Sequence, residues 1–179
     1  MAAFATAAEL QTHLQRLVDP AVADLAIANA TSAAQAYCGW ALAREEATFQ
    51  LEGDGGSRLT LPTLYLHAVD EVRVGDLVMA GLDLSGVVAY KKGQLYRPEG
   101  WPLHSIVEVD CEHGYDPLPD VLKLVVLDVA TRSVSNPEAL SAATVGAVSR
   151  VWGSSSRPGA ADDSALSALH MRLLDAYSL

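Results

Sequence analysis

A chain of 179 residues and 18.9 kDa suffices for one domain, or a domain carrying an insertion, with a sizeable core. Half of the residues are apolar and 19% are charged, which excludes a disordered tail. The net charge of −10, from 22 acidic and 12 basic residues, argues against gripping phosphate backbones or an anionic membrane, because both need clustered Lys and Arg.

The first residues lack a basic region ahead of Glu9, and no run of about 18 apolar residues follows anywhere. Synthesis in a cytoplasm and no membrane span are therefore expected. Thr6-Ala7-Ala8-Glu9 is a capping-box pattern, and Leu10, Leu14, Leu17 and Val18 follow at helical spacing. Asp19-Pro20 should end this helix and start the next, with Asp as N-cap and Pro at the first helical position. The second helix is expected from Pro20 to about Ala43. Ten of those residues are alanines, and Val22, Leu25, Ala26, Ala30, Ala33, Tyr37 and Trp40 fall on or near one stripe. Such a helix suits close packing against other helices.

After Glu46 the sequence turns rich in Val, Leu, Thr and Tyr, punctuated by Gly. Residues 47–52 and 57–61 alternate about Gly53-Asp54-Gly55-Gly56, which predicts a hairpin. Val69–Val74 reads as a strand with a turn at Gly75-Asp76. Residues 87–90 and 94–97 flank Lys91-Lys92-Gly93 as another hairpin. Ser105–Glu112 is the last strand, with Val107, Val109 and Cys111 on one face and Glu108, Asp110 and Glu112 on the other. Five or six short antiparallel strands are expected. Helix returns after Pro117-Leu118-Pro119, with Asp120 as N-cap of Val121–Val134; this helix is apolar nearly all round and ends at Asn136-Pro137. Residues 144–152 fit a strand with Val145, Ala147, Ser149 and Val151 on one face, or else a short helix. Residues 153–159 form a Gly/Ser/Pro linker. A last helix from near Asp162 carries Leu166, Leu169, Leu173, Leu174 and Tyr177 on an apolar face.

The predicted fold class is thus α+β: a helical core of three to four helices, an inserted antiparallel β module and a C-terminal helix. Its parts are an N-terminal helical hairpin (1–46), the β module (47–114), a core helix with the following strand (115–152), and a linker with the C-terminal helix (153–179).

Catalytic and metal signatures are sparse. His113 stands near Cys111, but one residue between ligands is not zinc-finger spacing and no second pair follows. Cys38 and Cys111 are too few for a disulfide scaffold and read as small buried hydrophobes in a reducing compartment. Gly53–Ser57 lacks the Gly-Lys-Ser/Thr of a phosphate loop, and Ser154–Ser156 have no nucleophile elbow around them. Glu108, Asp110 and Glu112 put three carboxylates on one strand face, the arrangement of a solvated sheet surface rather than of groups converging in a cleft, as a metal or general acid/base site would need. Trp40, Trp101 and Trp152 each sit beside Gly or Pro, suiting either core packing or a subunit interface. No catalytic residue, metal or cofactor is expected.

Several segments in order resemble one family. They are Ala36-Tyr37-Cys38-Gly39-Trp40, Leu61-Pro62-Thr63-Leu64, Gly93-Gln94-Leu95-Tyr96-Arg97-Pro98-Glu99-Gly100-Trp101-Pro102, and Val107–Pro119, which leads into the apolar helix. Val145-Gly146-Ala147-Val148-Ser149 and a C-terminal helix complete the set. Over about residues 5–178 the chain resembles the head-to-tail adaptor (connector) proteins of tailed phages, especially those infecting actinobacteria. His113-Gly114-Tyr115-Asp116-x-x-Pro119 is the most telling piece. The resemblance implies a structural, non-enzymatic virion protein: a ring, usually dodecameric, docked under the portal protein. Such a ring extends the DNA channel without binding DNA specifically, and meets a stopper or tail protein below. On this reading Leu166, Leu169, Leu173, Leu174, Tyr177, Trp40 and Trp101 are candidate interface residues, and Glu108, Asp110 and Glu112 candidate channel-lining acids. Two other readings stand beside it: another neck or tail-completion protein, which would be more β-dominated, and a cytoplasmic ligand-binding or enzyme domain with a concave polar site.

Overall fold

The computed structural model describes residues 4–75, 77–80, 84, 86–135, 142–145, 148–151 and 166–179. The elements run α1 (Ala7–Leu14), α2 (Pro20–Cys38), β1 (Glu45–Glu52), β2 (Arg58–Thr60), β3 (Leu66–Val74), β4 (Leu77–Ala80), β5 (Val88–Tyr90), β6 (Gln94–Tyr96), β7 (Ile106–His113), α3 (Asp120–Ser135), β8 (Ala142–Val145), β9 (Val148–Val151) and α4 (Ala168–Leu174), closed by a 3₁₀ turn, Asp175–Tyr177. The fold class is α+β with a C-terminal helix, as expected. Two compact units result: a helical unit, Met1–Tyr37 with Pro119–Ala176, and a β unit, Cys38–Leu118 with Tyr177–Leu179.

In the helical unit the capping box forms as the sequence predicts. The Glu9 N–H donates to Thr6 Oγ1 and the Thr6 N–H donates to Glu9 Oε2. The helix nevertheless stops at Leu14, because Gln15 turns left-handed at φ 54° and donates its N–H to Thr12. The leucine spacing overstated its length: Leu17 is 91% exposed, so nothing holds a further turn. Asp19 caps α2, its Oδ1 accepting from the N–H groups of Ala21 (2.9 Å) and Val22 (3.4 Å). This helix ends at Cys38 rather than near Ala43. Gly39 follows at φ 80°, a conformation that suits glycine at a helix C-terminus.

The buried face of α2 is Ala23, Ala26, Ile27, Ala30, Thr31, Ala34 and Cys38. It is rotated from the expected stripe, since Val22, Leu25 and Tyr37 lie outward. Small residues together with Ile27 make its packing surface. In α3 the residues Leu122, Val125, Val126, Val129 and Ala130 are buried, whereas Leu124 is exposed, so the helix is not wrapped on every side. Asp120 is its first residue and places a carboxylate against the positive end of the helix dipole. Lys123 pairs with Glu9 of α1, and Arg16 Nη2 donates to the Val134 carbonyl at the other end of α3 (3.3 Å). Within 144–152, read as one strand or a short helix, the described residues are extended: β8 and β9 pair antiparallel with Val145 opposite Val148. Residues 152–165, including Trp152 and the 153–159 linker, lie outside the described residues. The C-terminal helix α4 begins at Ala168, capped by extended Ser167; the expected start near Asp162 lies outside the described residues.

Among the described residues the β unit has seven strands rather than five or six, in two sheets of order β1-β7-β3-β4 and β2-β6-β5. The predicted pairing of 47–52 with 57–61 does not form. Instead β1 pairs with β7 and β2 with β6. The glycine loop makes a sheet-to-sheet crossing, and the Gly53 N–H donates to Ser105 O (2.8 Å). The 88–96 hairpin and the β3 turn into β4 occur as expected. One core serves both sheets: Val72, Val74, Val107, Val109 and Cys111 from one side meet Leu59, Leu95 and Trp101 from the other.

Candidate assembly surfaces

Alternation along β7 puts Val107, Val109, Cys111 and His113 into the core and Glu108, Asp110 and Glu112 outward. As the second strand of a four-stranded sheet, β7 shares this outer face with β1 and β3. The register places Gln50, Glu108 and Arg73 in one row, and Thr48, Asp110 and Glu71 in the next.

The acidic row therefore has partners that sequence reading missed. Arg73 reaches Glu108 (3.3 Å), Asp110 (3.0 Å) and Glu71. Arg44, just before β1, grips Glu112 through two nitrogens (2.5 and 2.8 Å) and Asp116 through a third (3.0 Å). Gln50 donates to Glu108 (2.7 Å) and Thr48 to Asp110 (2.5 Å). The hydrogen bond from Arg44 holds the Glu112 carboxyl below its ordinary range, and raises the guanidinium in turn. The bonds to Glu108 likewise raise Arg73. Among the described residues, Glu46, Glu71, Glu108, Asp110 and Glu112 share this face with Arg44 and Arg73, which leaves it net negative. Two Arg in the flanking segments are the signal that could have been read: Arg73 falls opposite Glu108, and Arg44 lies two residues ahead of Glu46, the residue opposite Glu112.

His113 ends the row's buried side. It packs against Phe49 (5.0 Å) and Trp40 (6.2 Å), and its Nδ1 is buried without a partner. Burial pushes its pKa below the ordinary histidine value. Burial also raises the Cys111 thiol to about 11, so it is an inert thiol at neutral pH.

The structure distributes the other candidates unevenly. Trp101 is fully buried in the β core, under the Arg97 guanidinium. Trp40 is buried too; its Nε1 donates to Tyr177 O (2.7 Å), and its ring lies 5.5 Å from Tyr115. Tyr177 packs edge-on against Tyr115 (5.8 Å), and the Leu179 N–H donates to Cys38 O (3.1 Å). The packing of the chain itself thus accounts for the burial of both tryptophans. Leu166, just ahead of α4, and Leu174 on it are buried, Leu173 is half-buried, and Leu169 is 63% exposed. His170 is buried beside them. It accepts from the Ser167 N–H at Nδ1 (3.2 Å), and its Nε2 lies 2.7 Å from Asp128 of α3. The apolar face of α4 is consequently divided: one half packs in the chain, and Leu169 looks outward. Among the described residues no helix is long and apolar enough to cross a membrane, and no group of three or more His, Cys, Asp or Glu could hold a metal.

No family model and no curated protein matches the sequence. Among solved structures the chain is similar to one from the neck of an empty gene transfer agent (GTA) particle, computed with C6 symmetry. The identity is 18% and the TM-score 0.64, over 99% of this chain and 92% of that one. The two chains share a fold along nearly their whole lengths.

Proposed function

We propose that this chain is a structural subunit of a phage-like neck: a head-to-tail adaptor that forms a ring under the portal protein, extends the DNA channel, and meets a stopper or tail protein below. The observation that carries this reading is the whole-length fold agreement with a neck chain, helical and β units together. The ordered motifs of the sequence point the same way. The C6 symmetry with which that neck was computed is compatible with a dodecameric ring, since twelve is a multiple of six. Isolated protein is expected to be monomeric or weakly associated, and to close into rings on the portal, where a template fixes the rotation between subunits. DNA passes through without specific contacts, and the role needs no catalytic residue or cofactor.

The α4 face supplies the test. Leu169 is exposed while Leu166, His170 and Leu174 hold the helix in place, so Leu169 is the residue free to enter a partner. Leu169→Glu should leave the protein folded by circular dichroism and abolish co-purification with the cognate portal, with the loss of rings on portals in electron micrographs. Removing 162–179 should have the same effect on docking while also baring α3. A wild-type chain that neither joins portals nor forms rings would overturn the adaptor reading.

A further inference from the structure

The β unit carries two more exposed patches, one at each end of β7. At the Ile106 end, Leu103 and Ile106 are 62% and 64% exposed. Around them stand the exposed carboxylates of Glu52, which is opposite Ile106 in the ladder, and Asp54 in the adjoining loop. His104 is held at φ 59°, a left-handed conformation that histidine rarely adopts. Its N–H donates to Gly53 O (2.9 Å) and its Nδ1 lies 2.6 Å from Glu52. This strained turn is what presents Leu103 to solvent beside Gly55.

At the His113 end lies the tip of the β5–β6 hairpin. Leu66, which pairs with His113, donates its N–H to Lys91 O (2.8 Å) and so fixes the tip there. Here Val88 and Tyr90 are 47% and 50% exposed on an edge strand. Lys91 and Lys92 are exposed and have no carboxylate partner among the described residues. The nearby Glu112 and Asp116 are already held by Arg44, and exposed Glu45 stands opposite His113.

We infer that these two patches bind each other between neighbouring copies: the Tyr90–Lys92 tip of one subunit seats on the Leu103–Ile106 end of the next. The occupant is a second copy of this chain, and the contact rests on the ring reading above. A ring contact is heterologous, so it needs two different, complementary patches on each subunit. Here both have an apolar centre, and Lys91 and Lys92 at the tip are opposite in sign to Glu52 and Asp54 around Ile106, which steers the encounter and fixes its register. The eight residues of β7 separate the patches by about 24 Å at 3.4 Å per step, so one chain cannot satisfy itself.

The test is disulfide trapping of the concentrated full chain carrying Tyr90→Cys and Ile106→Cys. Both native cysteines are buried, and both new ones replace exposed side chains. Oxidation should give a ladder of covalent oligomers on a non-reducing denaturing gel. The ladder should fade with added salt or with Lys91→Glu and Lys92→Glu, and return when Glu52→Lys is added. Sedimentation of the charge variants without cysteines should follow the same order. A ladder no stronger than that of a control pair, Tyr90→Cys with Ala28→Cys, alongside normal rings in micrographs, would overturn this contact and leave the ring standing. Absence of any self-association, free or on portals, would overturn both.

Discussion

A β-carbon on Gly114 would lie 2.3 Å from the Ala43 carbonyl oxygen, and its φ of 100° is one that side chains rarely allow. This explains the His-Gly-Tyr-Asp segment that stood out in the sequence. It is a joint: Tyr115 donates its N–H to Leu42 O (2.7 Å) and Asp116 pairs with Arg44. Gly114→Ala should cost more than about 1 kcal/mol in urea unfolding, through strain rather than lost function. His113 makes a second residue-scale case. Its folded-state pKa is depressed by burial, so between that value and the ordinary one only the unfolded chain takes up a proton. Stability should therefore fall as pH drops below about 6.5. His113→Phe should flatten this slope and stabilise by about 1 kcal/mol, since the orphaned Nδ1 goes too. Glu112 has the opposite origin and the same direction. Its depressed pKa stabilises the fold above the carboxylate range and is lost on acidification, so Arg44→Ala should weaken the acid limb of a melting profile.

At the scale of elements, one pair of substitutions reads the orientation of α3. Leu122 is fully buried and Leu124 is 53% exposed. Leu122→Ala should cost about 2–5 kcal/mol, and Leu124→Ala should move the urea midpoint little. The capping box at Thr6, the β5–β6 hairpin and the in-and-out alternation of β7 were legible because each is local: a cap, a three-residue turn, a period of two. The partner of β1 was not legible. Gly53–Gly56 has hairpin composition, yet the chain uses it to cross between sheets, and only the tertiary ladder with β7 decides that. Nor was the true face of α2, where alanines at helical spacing look the same as any other small-residue stripe until a neighbour packs on one side. Leu169 was nameable as apolar-face, but its separation from buried Leu166 and Leu174 depends on where α3 lies.

For the whole molecule, the outer face of the four-stranded sheet makes the account testable in particles. Arg44 and Arg73 neutralise part of the acidic row and leave the remainder net negative. If the row faces the channel, many copies around a ring repel DNA within about 8–10 Å at physiological salt. Lysines there would stand against Arg44 and Arg73, so E108Q, D110N and E112Q make the cleaner change. These should flatten the dependence of DNA ejection rate on ionic strength while necks stay intact. An unchanged salt profile would put the row on the outside of the ring.

Counting and locating the chain in purified particles tests its place in a neck most directly. Quantitative mass spectrometry against the capsid protein, with electron microscopy of a tagged chain, should find a dodecamer's worth of copies. All of these should lie at the single vertex between head and tail. Copies spread over the shell, repeated along a tail, or absent from the particle would contradict the account.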